Sequence, residues 1–344
     1  MAPSLTIGAV RVSPGLLLAP MEDVSDLPFR VICRRLGADV VYTEFVNAEG
    51  LVRELESGRR RTHDKLKFLP EERPFGIQIY GASELSMEKA AEIATSAGPD
   101  LIDINCGCWV SNVALRGAGA GLLRDLPRMR EVVSRVQSAT HLPVTVKTRL
   151  GWDAGSIRIV EVARMLEGIG VRALAVHCRT RAQGHKGEVD YRYIPMIKEA
   201  VSIPVILNGD LTRAEDVAAA FADTGCDAVM IGRGAIRHPW VFRESRHFLA
   251  TGSHLPAPSA RERSEVCLEH LRLAVRERGE RQAVISLRRH YSGYFRGLRQ
   301  AARLRAELSQ YREAAAVEDR LEELARALPE TEGVSGPAVL AAHV

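Results

Sequence analysis

Eight short apolar runs, each followed by a helix-like stretch, constrain this chain more than any other feature. They are Leu16–Ala19, Val40–Thr43, Phe75–Tyr80, Leu101–Ile104, Val144–Lys147, Ala173–His177, Val205–Leu207 and Ala228–Ile231. Their spacing fits strand, loop, helix and return loop. Continuous Val/Ile/Leu runs mark strands buried on both faces, hence a parallel sheet. Eight of them in about 250 residues is the count of a closed (β/α)8 barrel. A doubly wound open sheet competes on periodicity alone, but no Gly-x-Gly-x-x-Gly follows the first run. The expected fold is α/β: a (β/α)8 TIM barrel over residues 1–250, a Pro/Gly/Ser linker over 251–259, a small all-helical domain over 260–328 and a disordered tail over 329–344. Leu5 to Val12 alternates loosely and predicts a hairpin capping the barrel bottom.

Polar residues gather where these runs end, and in such a barrel the C-terminal ends of the strands carry the chemistry. The first run ends in Pro20-Met21, the third contains Gln78, and the fourth leads to Asn105 and Cys108. The fifth ends in Lys147-Thr-Arg149, the sixth in His177-Cys-Arg-Thr-Arg181, the seventh in Asn208-Gly-Asp210 and the eighth in Gly232-Arg233. Buried strands are dry, so a lone Lys or His there is more often a paired structural residue. Seven polar ends on one rim point to function instead. Asn208-Gly209-Asp210 and Gly232-Arg233, opening a short helix, form the phosphate-binding pattern of the last two strands. With Lys147 placed over an electron-rich ring, the pattern asks for a phosphorylated aromatic cofactor.

Charge separates the ends of the chain. Ser259 to Arg312 holds thirteen Arg and no Lys against six Glu, a net +7, whereas Glu313 to Val344 is net −5. A basic segment beside a nearly neutral body suggests a polyanion partner, against the plainer reading of a solvated helical surface. Tyr291, Tyr294 and Phe295 interleave with its arginines and read as core or as stacking platforms. The six cysteines are scattered without a Cys-x-x-Cys pair, which excludes a disulfide framework, and no second ligand pair accompanies Cys106-x-Cys108, so no metal is expected. Without an apolar run of membrane length or a basic-then-apolar leader, a cytoplasmic monomer free of membranes is expected.

Taken together the motifs resemble the tRNA-dihydrouridine synthases, and most closely their bacterial B-type branch. The matching stretches are Leu18-Ala-Pro-Met21, Gly76-Ile-Gln-Ile79, Asp103-Ile-Asn-x-Gly-Cys108, Gly117-Ala-Gly119, Val146-Lys-x-Arg149, His177-x-Arg-Thr-Arg181, Pro204-Val-x-x-Asn-Gly-Asp210 and Met230-Ile-Gly-Arg233. They follow the family order and span nearly the whole barrel. Leu287-Arg-Arg-His290 in the helical segment is similar to the family's RNA-binding domain. The resemblance implies FMN in the barrel, reduced by NADPH, and reduction of a tRNA uridine to 5,6-dihydrouridine. It places Pro20 and Met21 against the flavin, Gln78 and Lys147 on its ring system, and His177 near flavin or substrate. Asn208, Gly209, Asp210, Gly232 and Arg233 would hold the ribityl phosphate. Cys108 would supply the proton to C5, and Asn105, Arg116, Arg149, Arg179, Arg181, Arg288 and Arg289 would face the tRNA.

Two departures stand out. Trp109 follows the cysteine where the family usually has proline, and Ser111-Asn112 stands where a lysine is usual. Proline presets loop backbone and lysine would meet RNA, so loop rigidity and substrate grip are both altered. Trp109 either stacks on a base or packs, and Cys106 adds a second thiol of unassigned role. A flavin barrel acting on a free pyrimidine-like molecule, and an RNA-binding relative without catalysis, are the competing functions. The basic helical segment argues against the first, and only Trp109 and Asn112 argue for the second.

Overall fold

The computed structural model describes residues 3–58 and 60–327. The tail expected to be disordered lies outside the described residues. The strands are β1 (Leu5–Ile7), β2 (Val10–Val12), β3 (Leu16–Leu18), β4 (Val41–Tyr42), β5 (Val46–Asn47), β6 (Phe75–Tyr80), β7 (Leu101–Cys106), β8 (Val144–Arg149), β9 (Ala173–His177), β10 (Val205–Asn208) and β11 (Ala228–Ile231). β3, β4 and β6 to β11 form one parallel sheet in the order β3-β11-β10-β9-β8-β7-β6-β4. A parallel bridge between Leu17 and Val40 joins β3 to the start of β4 and closes the ring. The eight expected strands are all present, and the closed (β/α)8 architecture holds.

Helices follow the strands in turn: α1 (Leu27–Arg35), α2 (Ala48–Ser57), α3 (Glu84–Ser96), α4 (Ser111–Ala114), α5 (Leu126–Ser138), α6 (Ile159–Ile169), α7 (Tyr193–Ala200), α8 (Ala214–Thr224), α9 (Arg233–Arg237) and α10 (Val241–Thr251). Their starts are written locally. Asp26, Asn47, Ser83 and Asp125 each accept a backbone N–H of the first turn, with proline in the first turns of α1 and α5. None of the helices is long and apolar enough to cross a membrane among the described residues.

Side chains alternate strictly along each strand, and that alternation makes two cores. Ile102, Ile104 and Cys106 of β7, Val144 and Val146 of β8, and Leu174 and Val176 of β9 pack outward against the helices. The opposite parity points into the barrel. At its bottom Leu17, Val40, Leu101, Ala173 and Ala228 pack with Leu5, Ile7 and Val10 of the antiparallel β1–β2 hairpin, which closes that end as expected. Deleting any one of these larger buried aliphatic side chains costs about 2–5 kcal/mol. With the bottom filled, the polar inward positions are those of the middle and upper layers.

The chain divides into two compact units, 1–236 with 240–252, and 237–239 with the segment from 253 onward. The second comprises α11 (Ala260–Arg278), α12 (Glu280–Leu287), α13 (Tyr291–Tyr294), α14 (Ala301–Leu308) and α15 (Ala314–Ala327). A 3-10 turn at Arg288–His290 separates α12 from α13. Tyr291, Tyr294 and Phe295 are buried, and the Tyr294 hydroxyl lies 2.8 Å from His270 Nδ1. Those aromatics are core, not stacking platforms.

Candidate active site

The inward parity of the upper barrel collects the candidates. Asp103, Asn105, Thr145, Lys147, Arg149, His177 and Asn208 share it, while Cys106 has the other and sits fully buried among the outer apolar residues. Pro20 is buried where β3 leaves the barrel, and Met21 lies beside Gly232.

In the middle layer Asp103 is buried and accepts hydrogen bonds from Gln78 Nε2 and Thr145 Oγ1. Burial raises its carboxyl to about 6, against the pull of those two donors and of Lys147. Gln78 Oε1 in turn accepts from Asn105 Nδ2 at 2.9 Å. Asn105 Oδ1 then accepts the backbone N–H groups of Gly107 at 3.0 Å and Cys108 at 2.8 Å. A chain of side chains therefore runs from the middle layer to the cysteine loop and leaves the Gln78 and Asn105 amides already engaged. Asp103 was missed from the sequence as a site residue, although its parity with Asn105 in β7 marks it.

Cys108 is partly accessible, and the other five cysteines are buried. Its carbonyl accepts from Ala120 N at 3.1 Å, and a Cβ on Gly119, whose φ is +55°, would meet the Cys108 Cβ at 2.9 Å. Only glycine fits there. Burial pushes the Cys108 thiol up, opposed by the Val110 N–H, Arg149 and Lys147, so it carries its proton at neutral pH.

Lys147 stands beside Arg149 at the mouth without an ion-pair partner among the described residues. Burial, then Arg149, lower its ammonium to about 8. His177 is buried and held neutral by its enclosure and by Arg149 and Lys147. On β10, Asn208 Nδ2 donates to Met230 O at 2.7 Å. Gly209 has φ +137°, and a Cβ there would approach Val189 to 2.8 Å. Gly232 opens to the mouth, where a Cβ would meet only Ala19 and Met21, at 3.5 Å. Arg233 starts the short α9, in which the Ala235 N–H donates to Gly232 O at 2.9 Å.

Several residues are placed differently from the sequence expectation. Arg149 and Arg179 were expected to face a substrate, yet both are buried. Arg149 donates to the carbonyls of Gly107 at 2.8 Å, Thr180 at 2.9 Å and Gly184 at 2.8 Å. Arg179 pairs with Asp210 and donates to Gly187 O at 2.6 Å. These guanidiniums brace loops. Asp210 was expected to hold a phosphate, but its carboxylate is shared between Arg179 and Arg233, the latter at 2.6 Å, and is itself anionic. Arg116 is exposed; Arg181 lies 4.4 Å over the Trp152 ring and donates to Ser111 Oγ at 3.3 Å. Trp109 leans on the loop after β9 while remaining exposed: its Nε1–H donates to His185 Nε2 at 3.2 Å and its ring lies against Gly184. In the helical unit Arg288 is half-buried and donates to Tyr311 O at 3.0 Å, while Arg289 is exposed. Trp152 and His185 had no signal in the sequence, because only the folded loops bring them to the rim.

Fold and mouth define a (β/α)8 barrel with a polar site at the C-terminal ends of its strands. Similar barrels occur in histamine dehydrogenase from Rhizobium sp. 4-9 (TM-score 0.55, 14% identity, 78% of this chain and 50% of that one) and in 6-hydroxypseudooxynicotine amine oxidase from Pseudomonas geniculata (TM-score 0.56, 14% identity, 77% and 52%). At that identity the likeness is one of fold. The family model for dihydrouridine synthase (Dus) matches residues 17–329. The tRNA-dihydrouridine synthase B of Pseudomonas putida is 41% identical over 292 residues, 85% of each chain, and that of Pseudomonas aeruginosa 41% over 304 residues, 88% of this chain and 90% of the other. The chain belongs to the dihydrouridine synthase family.

Proposed function

We propose that this chain reduces the C5=C6 bond of uridines in tRNA to 5,6-dihydrouridine, using FMN reduced by NADPH. The observation that carries this reading is the gathering, at one barrel mouth, of a partly accessible protonated thiol and a lysine that makes no direct ion pair among the described residues. An electron-rich, phosphorylated flavin fits these residues: Lys147 makes no direct ion pair among the described residues, Gly232 has only ordinary contacts where a Cβ would stand, and the Arg233 guanidinium suits an anion. Pro20 and Met21 would lie against the ring system, with Gln78, Lys147 and His177 around its edge. Asn208, Gly209, Gly232 and Arg233 would hold the phosphate, with Asp210 orienting Arg233.

When bound, FMN supplies the hydride that reaches C6. Cys108 supplies the matching proton to C5, so the double bond is consumed by one hydride and one proton. The thiolate left behind faces the Val110 N–H, Arg149 and Lys147, which stabilise it until solvent returns the proton. His177, being neutral, adds no competing proton source at neutral pH. The uridine must leave its stack to enter the mouth. The 259–312 segment, net +7, would hold the RNA backbone with Arg289, and the exposed Arg116 would do so at the rim.

Mapping dihydrouridine in tRNA from cells lacking the gene tests this. Specific uridines should stay unreduced, and the purified yellow protein with NADPH should reduce them. A dihydrouridine map unchanged by the deletion, with no reduction by the purified protein, would overturn it.

A further inference from the structure

The cysteine loop is held from three sides, and the third hold belongs to residues without an assigned role. From below, Asn105 Oδ1 accepts the N–H groups of Gly107 and Cys108. From behind, Gly119 and Ala120 crowd and hydrogen-bond Cys108. In front, Trp109, the residue next to Cys108, reaches across to the loop after β9. Its Nε1–H donates to His185 Nε2 at 3.2 Å, the two rings meet edge to face at 5.3 Å, and its six-membered ring lies 3.2 Å from where a Gly184 Cβ would stand. Gly184 has φ +58°, and its carbonyl oxygen accepts from Arg149, which also holds Gly107 O. The floor on which Trp109 rests is thus tied to the same guanidinium as the loop that carries Cys108.

We propose that Trp109 and His185 are a positioning pair that fixes Cys108 for proton delivery, with His185 accepting the indole N–H. The role in proton delivery rests on the function proposed above; the clamp on the loop does not. The indole partner assigns the His185 proton to Nδ1. Burial, then Arg233, Arg149, Arg179 and Lys147, lower the imidazolium to about 4, so the Nε2 lone pair is available at neutral pH. Trp109 leaves part of its ring exposed at the mouth, so the pair also forms part of the wall that an entering uridine meets.

Because the other five cysteines are buried, iodoacetamide on the native protein reads Cys108 alone. His185→Ala and Trp109→Phe should each raise its alkylation rate by about fivefold to tenfold, the worth of one net hydrogen bond. His185→Gln, whose Oε1 can accept the same N–H, should restore the wild-type rate. In turnover, kcat should fall by a similar factor while KM for tRNA stays within about twofold. Trp109→Phe keeps a ring on Gly184 and answers the question should His185→Ala fold poorly. Alkylation unchanged in both variants would overturn the pair, and so would His185→Gln behaving as His185→Ala. Altered alkylation in a protein whose wild type makes no dihydrouridine would keep the clamp and sink the catalytic reading.

Discussion

The two sides of the barrel mouth carry the same kinds of residue and use them differently. On the β7–β9 side, Arg149 and Asn105 are buried and committed to backbone groups of the loop holding Cys108. On the β10–β11 side, Arg233 is half-exposed, shares Asp210 with Arg179, and follows Gly232, where a Cβ would make only ordinary contacts. Lys147, on β8, feels the buried Asp103 but makes no direct ion pair among the described residues. A proton donor needs one fixed geometry, so its surroundings are used up in holding it. An anion cradle needs donors left over, so its surroundings are not.

The largest effect should come from the thiols. Cys108→Ala should lower dihydrouridine formation by about 10²- to 10⁴-fold while FMN and tRNA still bind, measured by single-turnover reduction and by absorbance. Cys106→Ala should leave turnover intact and lower only stability, since Cys106 faces the outer apolar layer and burial holds its thiol far above the usual range. Activity lost from the Cys106 variant and kept by the other would reverse the assignment.

Next come the arginines. Arg149→Ala strips three carbonyls of their buried donor and should cost about 3 kcal/mol or more in urea denaturation. Arg233→Ala removes a half-exposed charge and should cost under about 1 kcal/mol, yet weaken FMN retention about tenfold. Equal losses of stability in the two variants would erase the distinction between the two sides.

The smallest effect concerns Lys147. Its folded value of about 8 lies below the ordinary lysine value, so the unfolded chain holds more protons between those two values. Stability of the flavin-free protein should therefore rise with pH across that window. Lys147→Met should lose this rise and be more stable at pH 7 by about 1 kcal/mol, while binding FMN more weakly. A Lys147→Met protein with the same pH profile as wild type would show that the ammonium is not strained.

Much of this was legible in the residues. Short continuous Val/Ile/Leu runs read as strands buried on both faces because they are too short for a helix and rich in β-branched residues. The period of two along Leu101 to Cys106 already separates Asp103 and Asn105 from Ile104 and Cys106, and so separates the two cysteine environments. The basic segment after Ser259 and the glycines after the last two strands were equally plain, since composition and backbone freedom belong to single residues.

What the chain alone could not decide was which polar side chains would be left over after folding. Arg149, Arg179, Arg181 and Arg233 look alike in sequence, and only the packed loops make two of them internal braces. The same holds for Trp109, which the residues allowed either to stack or to pack. Its partner His185 lies 76 positions away on another loop. Hydrogen-bond capacity is distributed by three-dimensional neighbours, and every buried carbonyl must be met by a donor from somewhere. Strand parity is a local property and was decided by the sequence; the assignment of donors to acceptors is a property of the closed barrel, and only the tertiary structure decided it.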